Sequence, residues 1–371
     1  MGKDYRRIRS VLATVVFSTI IGGLFLFSLI SVPPAILRSE RRYPARFPLL
    51  TMETVLSAEF MSRFNNYAAD NFPLRDGFRT LNSALVFHVY RQTDNSGLYM
   101  DKENKGIGEF KQINVDSVEQ LSRKILALAQ GFREMNVYYS FIPDKSIYSN
   151  MMLPGFDPLL AKQLLSEYPG MDEYNYIDIT AALDTESYYR TDLHWNQIML
   201  KGVVEKLASH MRINVDLSRY SLEYAGEFQG VYAGQLALPT WTDSLAFLSN
   251  QSLAAMYLNE RTMELESGDV YNWEKFSGLD AYDFFLSGAQ PLVVLINKES
   301  HSDNELYIFR DSFSSSLAPL LASAYAKVTL IDLRYIDMRT LNRCIEFKPG
   351  SDVLFLYSSL VLNNSDMLQV Y

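Results

Sequence analysis

Cysteine occurs once in the 371 residues, at Cys344. A single thiol closes no intramolecular disulfide and builds no thiolate-rich zinc site. Such poverty is compatible with an exported bacterial protein that folds without disulfides. Positive charge is also short: 34 Lys and Arg against 43 Asp and Glu give a net charge of −9 and a pI near 5.1. That balance excludes the basic footprint of a nucleic-acid-binding surface. No repeat or low-complexity tract is present, and a composition 48% hydrophobic and 21% charged fits no disorder class. Histidine is limited to four residues, so a general base has few candidates.

What is present begins with a long apolar run. "MGKDYRRIRS" carries Lys3, Arg6, Arg7 and Arg9, and Ser10 to Leu37 then holds no charge. A membrane-spanning helix needs roughly 20 mostly apolar residues, and the flanking cations favour a cytoplasmic amino terminus. The expected layout is a cytoplasmic tail over 1–9, a transmembrane signal-anchor over 10–37, a Pro- and Arg-rich stalk over 38–50 and an extracytoplasmic domain over 51–371. Arg38, Arg41, Arg42 and Arg46 beyond the run weaken the orientation. The alternative is a cleaved secretory signal; against it stand the length of the run and the want of a small-x-small cleavage site.

Two helix-like segments follow, near 52–66 and 76–92, separated at Pro73. From about residue 97 strands and helices alternate. "DSVEQLSRKILALAQGFREM" (116–135) spaces Val118, Leu121, Ile125, Leu128 and Phe132 as a helix. "NVYYSFIPD" (136–144) and "YNYIDI" (174–179) read as strands, and "WNQIMLKGVVEKLASHM" (195–211) as an amphipathic helix. "ELYIF" (305–309), "KVTLIDL" (327–333) and "DVLFLYSS" (352–359) are near-continuous apolar strands. Such runs between helices predict an α/β fold with a parallel sheet covered on both faces. The stretch 212–304 is aromatic and irregular in period, and reads as an insertion forming a cap or groove wall. Its Tyr220, Tyr224, Tyr232, Trp241, Tyr271 and Trp273 either stack on sugar faces or fill a core.

Active groups in open parallel sheets collect at the carboxyl ends of strands. "ELYIFRDSFSSSLAPLL" puts Asp311 and Ser312 just beyond a buried strand. The following helix starts near Ser312 or near Ser316, because Pro319 is poorly tolerated deep in a helix. A serine at such a turn offers its own N–H to an oxyanion, and a helix start favours negative charge. Its hydroxyl needs a base, and the base needs an orienting carboxylate. "YYRTDLHWNQ" (188–197) supplies both: in an extended segment Asp192 and His194 point to one side, with Trp195 opening the next helix. The plain alternatives are that Asp192 and Ser312 merely cap helices. His88, His210 and His301 lie in helix-like or polar loop contexts and read as structural or solvent-facing. Arg190 and Lys145 lie near strand ends, where they either contact an anionic glycan or form surface pairs.

"YYRTDLHW" resembles the signature of the DHHW protein family, and "FRDSFSSSLAPLL" followed by "VTLIDLRY" resembles its serine block. "DNFPLRD", "FIPDKSIYSN", "FQGVYAG" and "YDFFLSGAQPLVVLIN" resemble further blocks, so the resemblance covers about 55–365. The family is similar to the SGNH-hydrolase-like proteins of alginate O-acetylation, in which an Asp-x-His pair precedes the serine, the order found here. Leu193 stands in place of the first histidine of the family's name, and Arg310 where ordinary SGNH esterases carry glycine.

The resemblance implies a three-layer SGNH-like sandwich with permuted motif order, and acyl transfer to an extracellular polysaccharide through an acetyl-serine. It implies Ser312, His194 and Asp192 as the relay and no metal or organic cofactor. The Ser312 N–H, with Gly230 of "FQGVYAG", is the expected oxyanion site, and Arg190, Lys145 and Tyr232 the expected substrate contacts. A membrane-bound O-acyltransferase is the expected acetyl-donor partner. A carbohydrate acetyl esterase, or a non-catalytic glycan-binding or envelope-assembly protein of the same fold, are the alternatives.

Overall fold

Eight strands form the main sheet. The computed structural model describes residues 2–32, 34–57, 59–149 and 155–370. In chain order the strands are β1 (Asn136–Ile142), β2 (Asn175–Tyr176), β3 (Leu253–Asn259), β4 (Glu264–Gly268), β5 (Leu292–Asn297), β6 (Glu305–Arg310), β7 (Lys327–Ile331) and β8 (Asp352–Ser358). Across the sheet they run β2-β1-β8-β6-β7-β5-β3-β4. The strands from β2 to β7 are parallel, and β5, β3 and β4 continue the sheet antiparallel.

The expected parallel sheet is thus the larger part of a mixed one, and the reading of 212–304 as an insertion is corrected. That stretch supplies β3, β4 and β5, besides a separate two-stranded pair, Ser221–Phe228 with Asp243–Ser249. β3 alternates buried with half-buried residues and β4 lies largely exposed at the sheet edge. β4, Glu-Leu-Glu-Ser-Gly, has no apolar run, and β3, Leu-Ala-Ala-Met-Tyr-Leu-Asn, is apolar over six residues but carries two alanines of weak strand preference.

Side chains alternate between two cores, as the two-residue period of a strand requires. Leu306, Ile308, Leu354 and Leu356 join Val203, Leu207 and Leu317 on one face. Tyr307, Phe309, Val353 and Phe355 join Val118, Leu121, Ile125 and Leu341 on the other. Helices Lys201–Met211 and Ser314–Leu321 cover the first face, and Val115–Ala129, Pro158–Ser166 and Met338–Cys344 the second. This is the three-layer α/β sandwich. Each fully buried Leu or Ile stabilises it by about 1.5–3 kcal/mol, which is why strand positions are so uniformly apolar.

Helix starts follow local chemistry. Asn114 accepts the Ser117 N–H, and Asp157 caps Leu159 and Leu160 ahead of Pro158. The helix expected over 195–211 starts only at Lys201, after a 3-10 turn at Gln197–Met199. Trp195 does not open it: Trp195 bridges back to Tyr188 and is fully buried.

The chain divides into two compact units, Met1–Gln92 with Gly234–Leu238, and Thr93–Ala233 with Pro239–Tyr371. The domain start expected at residue 51 is therefore corrected: the helices Met52–Leu56, Glu59–Asp70 and Arg75–Ala84 belong to the first unit. One continuous helix, Gly2–Ile30, merges the expected tail with the apolar run. Within it the 22 residues Arg7–Ser28 are long and apolar enough to cross a membrane, at about 33 Å for 1.5 Å per residue. The helix stops at Ile30, short of the expected end at 37, ahead of Pro33 and Pro34 in the sequence. The expected stalk is folded rather than free. Arg42 grips Asp70 with two bonds of 2.6 Å, and the Ala45 N–H donates to the same carboxylate at 2.8 Å.

Candidate active site

β6 ends at Arg310 in the middle of the parallel strands, and the turn beyond it is fixed by one carboxylate. Asp311 Oδ1 accepts the Phe313 N–H at 3.1 Å, and its Oδ2 accepts the Ser358 N–H, at the end of β8, at 2.6 Å. The helix begins at Ser314 and carries Pro319 inside it. Ser312, between turn and helix, is half-buried. Among the described residues no acceptor takes its backbone N–H, leaving that donor free for a developing oxyanion.

Arg310 does not disturb this turn. Its guanidinium is fully buried and donates to the Asp311 carbonyl at 3.3 Å, Ser315 Oγ at 3.0 Å and the Gln290 carbonyl at 3.2 Å. Its Nε has no partner among the described residues, and burial pushes its pKa down.

The histidine loop follows the 3-10 turns Thr180–Ala182 and Thr185–Ser187 and is closed by the Tyr188–Trp195 bridge and by the Tyr189 N–H donating to the His194 carbonyl at 3.0 Å. Asp192 and His194 meet through a tight loop, not through the extended alternation expected. Asp192 Oδ1 accepts the His194 backbone N–H at 3.1 Å, an Asx turn, and pairs with the ring Nδ1 at 2.7 Å. The other ring nitrogen, Nε2, lies 2.8 Å from Ser312 Oγ. Asp192 and His194 are both buried, and no helix starts at Trp195 for Asp192 to cap, the next helical residues being the 3-10 turn Gln197–Met199 behind Asn196. Asp192 Oδ2 accepts the Val231 N–H at 2.9 Å. Leu193, between Asp192 and His194, packs against the core.

Further groups hold the imidazole that one-dimensional reading did not find. Tyr282 stacks on it at 3.7 Å between centroids and 6° between planes. The Tyr282 hydroxyl reaches Ser316 Oγ at 2.8 Å, and Trp195 Nε1 donates to the Phe313 carbonyl at 2.9 Å and to Ser316 Oγ at 3.0 Å. Gln197 donates to the Ser316 carbonyl at 2.7 Å. The histidine loop is thereby fastened to the serine segment by three bonds, and Tyr282 adds a fourth from outside the loop. Tyr282 lies 88 residues from His194, in a stretch with no periodic signal.

Three expected roles change. The Gly230 N–H is committed to Thr191 Oγ1 at 2.7 Å and is not available as an oxyanion donor. Gly230 is instead a packing position, since a Cβ there would lie 2.4 Å from Asp192 Cβ and from the Thr191 carbonyl oxygen. Tyr232 is buried, with its N–H on the Thr191 carbonyl at 3.0 Å and its hydroxyl on Glu109 at 3.3 Å. Lys145 spends its donors on the carbonyls of Tyr189, Asp192 and, more loosely, Arg190. Buried tyrosine and saturated ammonium are therefore loop supports rather than substrate contacts. Of the three expected substrate contacts, Arg190, Lys145 and Tyr232, only Arg190 keeps an exposed side chain with no ion pair among the described residues. His210 is exposed, with Nδ1 against its own helix.

Chemically, a half-exposed hydroxyl on a buried imidazole–carboxylate pair, beside a free N–H, is an arrangement for nucleophilic acyl chemistry. The chain matches no family model and no curated protein. Among solved structures it is similar to a DHHW family protein from Eubacterium siraeum, with 16% identity, 74% of this chain and 94% of that one covered, and a TM-score of 0.58. It is also similar to Bacillus cereus PatB1 solved with a sulfonyl adduct, with 16% identity, 74% and 98% covered, and a TM-score of 0.57. At such identity what is shared is the architecture: this chain has the fold of a DHHW family protein, the family its DLHW and RDSF segments resemble.

Proposed function

We propose that the protein is a membrane-anchored O-acetyltransferase acting outside the cytoplasm on a cell-envelope or exported polysaccharide. The observation that carries the reading is the unbroken chain Ser312 Oγ–His194 Nε2 at 2.8 Å and His194 Nδ1–Asp192 at 2.7 Å.

Ser312 Oγ attacks the carbonyl carbon of an acetyl donor while His194 Nε2 takes the hydroxyl proton. The Ser312 N–H stabilises the tetrahedral oxyanion, which collapses to acetyl-Ser312; the departing donor fragment takes the proton from His194. A sugar hydroxyl then gives its proton to His194 and attacks the acetyl-serine. Collapse forms the sugar ester and returns the proton to Ser312 Oγ. Asp192 holds the imidazole in the tautomer that both steps need, with Nδ1 protonated and Nε2 free to take a proton. Arg190, exposed next to this loop, is the group proposed to contact an anionic glycan. A membrane-bound O-acyltransferase is the proposed source of acetyl groups, and the Arg7–Ser28 span supports an anchor that keeps the protein near it. The similarity to PatB1, solved with a sulfonyl adduct, supports testing the serine with electrophiles.

The test is the intact mass of the full-length protein after incubation with an activated acetyl ester. One acetyl adduct on the wild type and none on Ser312→Ala is expected. No adduct and no ester turnover would overturn the reading in favour of a non-catalytic protein of the same fold. Turnover to free acetate that an added glycan does not divert would replace transfer by hydrolysis.

A further inference from the structure

We infer that Lys145 and Asp243 are positioning residues for the triad: they clamp the segment Tyr189–Asp192 from two sides, and the clamp loosens when the Lys145 ammonium loses its proton. This rests on the triad reading above.

The segment offers amides to one partner and carbonyls to the other. Asp243 accepts the N–H groups of Arg190 and Thr191, each at 2.7 Å, and the Thr191 hydroxyl at 2.5 Å. Lys145 Nζ donates to the carbonyls of Tyr189 at 3.0 Å, Arg190 at 3.4 Å and Asp192 at 2.7 Å. An ammonium has three N–H donors and no lone pair, so these carbonyls use all of them. A neutral amine has two donors and a lone pair. One carbonyl would lose its bond and face that lone pair instead. The shortest of the three bonds belongs to Asp192 itself, whose carboxylate orients His194.

The surroundings leave the proton finely held. The Tyr232 ring lies 4.9 Å from Nζ, with its hydroxyl on Glu109. Among the described residues no carboxylate comes within ion-pair distance of Lys145. Asp192, Asp243, Asp144 and Asp101 favour the charged form from farther off. Their oxygens are already engaged: Asp144 by the Ser146 N–H, and Asp101 by Ser149 and Asn104. Arg190, the neighbouring cation, is exposed. Burial works the other way and prevails, so the Lys145 pKa is pushed down from 10.5 to about 8.

The experiment is the pH dependence of kcat/KM for the full-length protein on an activated acetyl ester, with thermal unfolding recorded at each pH. Wild-type activity should fall as pH rises through about 8. Stability should not fall with it. Lys145 has a lower pKa folded than unfolded, so between about 8 and 10.5 the folded state binds fewer protons and this group's contribution rises with pH. In Lys145→Arg the guanidinium stays charged, and the alkaline limb should vanish whatever the rate at neutral pH. Lys145→Met should lose on the order of 10²-fold, the cost of a small misplacement, and lose the limb as well. Asp243→Asn should lower the rate at every pH and keep the limb.

A wild-type profile flat through pH 8 would overturn the inference, as would a limb retained in Lys145→Arg or an activity loss that tracks unfolding. If Lys145→Arg does not fold, the wild-type profile against its own unfolding curve decides. Absence of acyl-serine and of turnover at every pH is the separate failure, that of the triad reading.

Discussion

The Tyr282 ring lies flat on the His194 imidazole, 3.7 Å away and within 6° of parallel. Phe313 closes on the same imidazole at 4.8 Å. A histidine that must bridge Asp192 and Ser312 has one freedom to lose, rotation about its side-chain bonds, and the stacked ring removes it without occupying either nitrogen.

Tyr282→Phe keeps the stack and loses only the hydroxyl's bonds to Ser316 Oγ at 2.8 Å and the Phe313 carbonyl at 3.4 Å, so its rate on an activated ester should stay within a few-fold of wild type. Tyr282→Ala frees the imidazole and opens a cavity. It should lower kcat by about 10²-fold and stability by about 3–5 kcal/mol. Steady-state kinetics with denaturant unfolding on both variants checks this; equal loss in both would show that the hydroxyl, not the ring, matters.

Asp192→Asn tests the carboxylate. Asp192 accepts at both oxygens, from His194 and from the Val231 N–H. An amide must turn its NH2 toward one of these donors, so either the ring tautomer or the loop is lost. The expected fall in kcat is on the order of 10⁴-fold, as when the orienting carboxylate of a serine triad is replaced. Full retention of rate, with folding intact by circular dichroism, would remove Asp192 from the relay.

Much of this was written locally. The apolar runs at 305–309, 327–333 and 352–359 became β6, β7 and β8 because a strand buried on both faces must be apolar at every position. Ser312 was legible because it sits just beyond such a run, and Asp192 and His194 because a carboxylate two residues from one of only four histidines stands out in the sequence. What was not legible depends on long-range pairing. β3 and β4 gain their identity from partners: β3 pairs with β5 and β4 with β3. Tyr282 was hidden for the same reason, and Lys145 was misread because saturation of an ammonium by three carbonyls leaves no trace in the sequence.

Gly230→Ala probes the loop without touching the triad's chemistry. The added Cβ would meet Asp192 Cβ and the Thr191 carbonyl oxygen at 2.4 Å, against atoms that have no flexible end to move. A loss of about 1–3 kcal/mol in stability is expected from such overpacking, with a fall in kcat because the displaced residue is Asp192. Gly77→Ala is the control. It lies in the helix Arg75–Ala84 with nothing within 4 Å of the added carbon, and should stabilise by about 0.4–1 kcal/mol. A silent Gly230→Ala in calorimetry and kinetics would mean that the loop yields.

The last prediction concerns acid. Asp70 is nearly buried, and its two hydrogen bonds from Arg42 hold its pKa below the usual 3.8, reinforced by the Ala45 N–H and opposed by burial. A carboxylate whose pKa is lowered by folding contributes stability that is complete above its unfolded pKa. That contribution is lost as pH falls below 3.8 toward the depressed folded value. The segment 37–46 should therefore detach from the helix Glu59–Asp70 in acid before the sheet yields. Asp70→Asn should reproduce the effect at neutral pH, because an amide cannot take both Arg42 bonds. The loss should be about 1.5–3 kcal/mol, the range for hydrogen bonds to a charged group, lessened by the partial exposure of Arg42. Amide exchange at Ala45, whose N–H donates to Asp70, reads this directly: faster exchange at Ala45 with β6 and β8 still protected is expected, and uniform acceleration across the chain would show that the contact supports the whole fold instead.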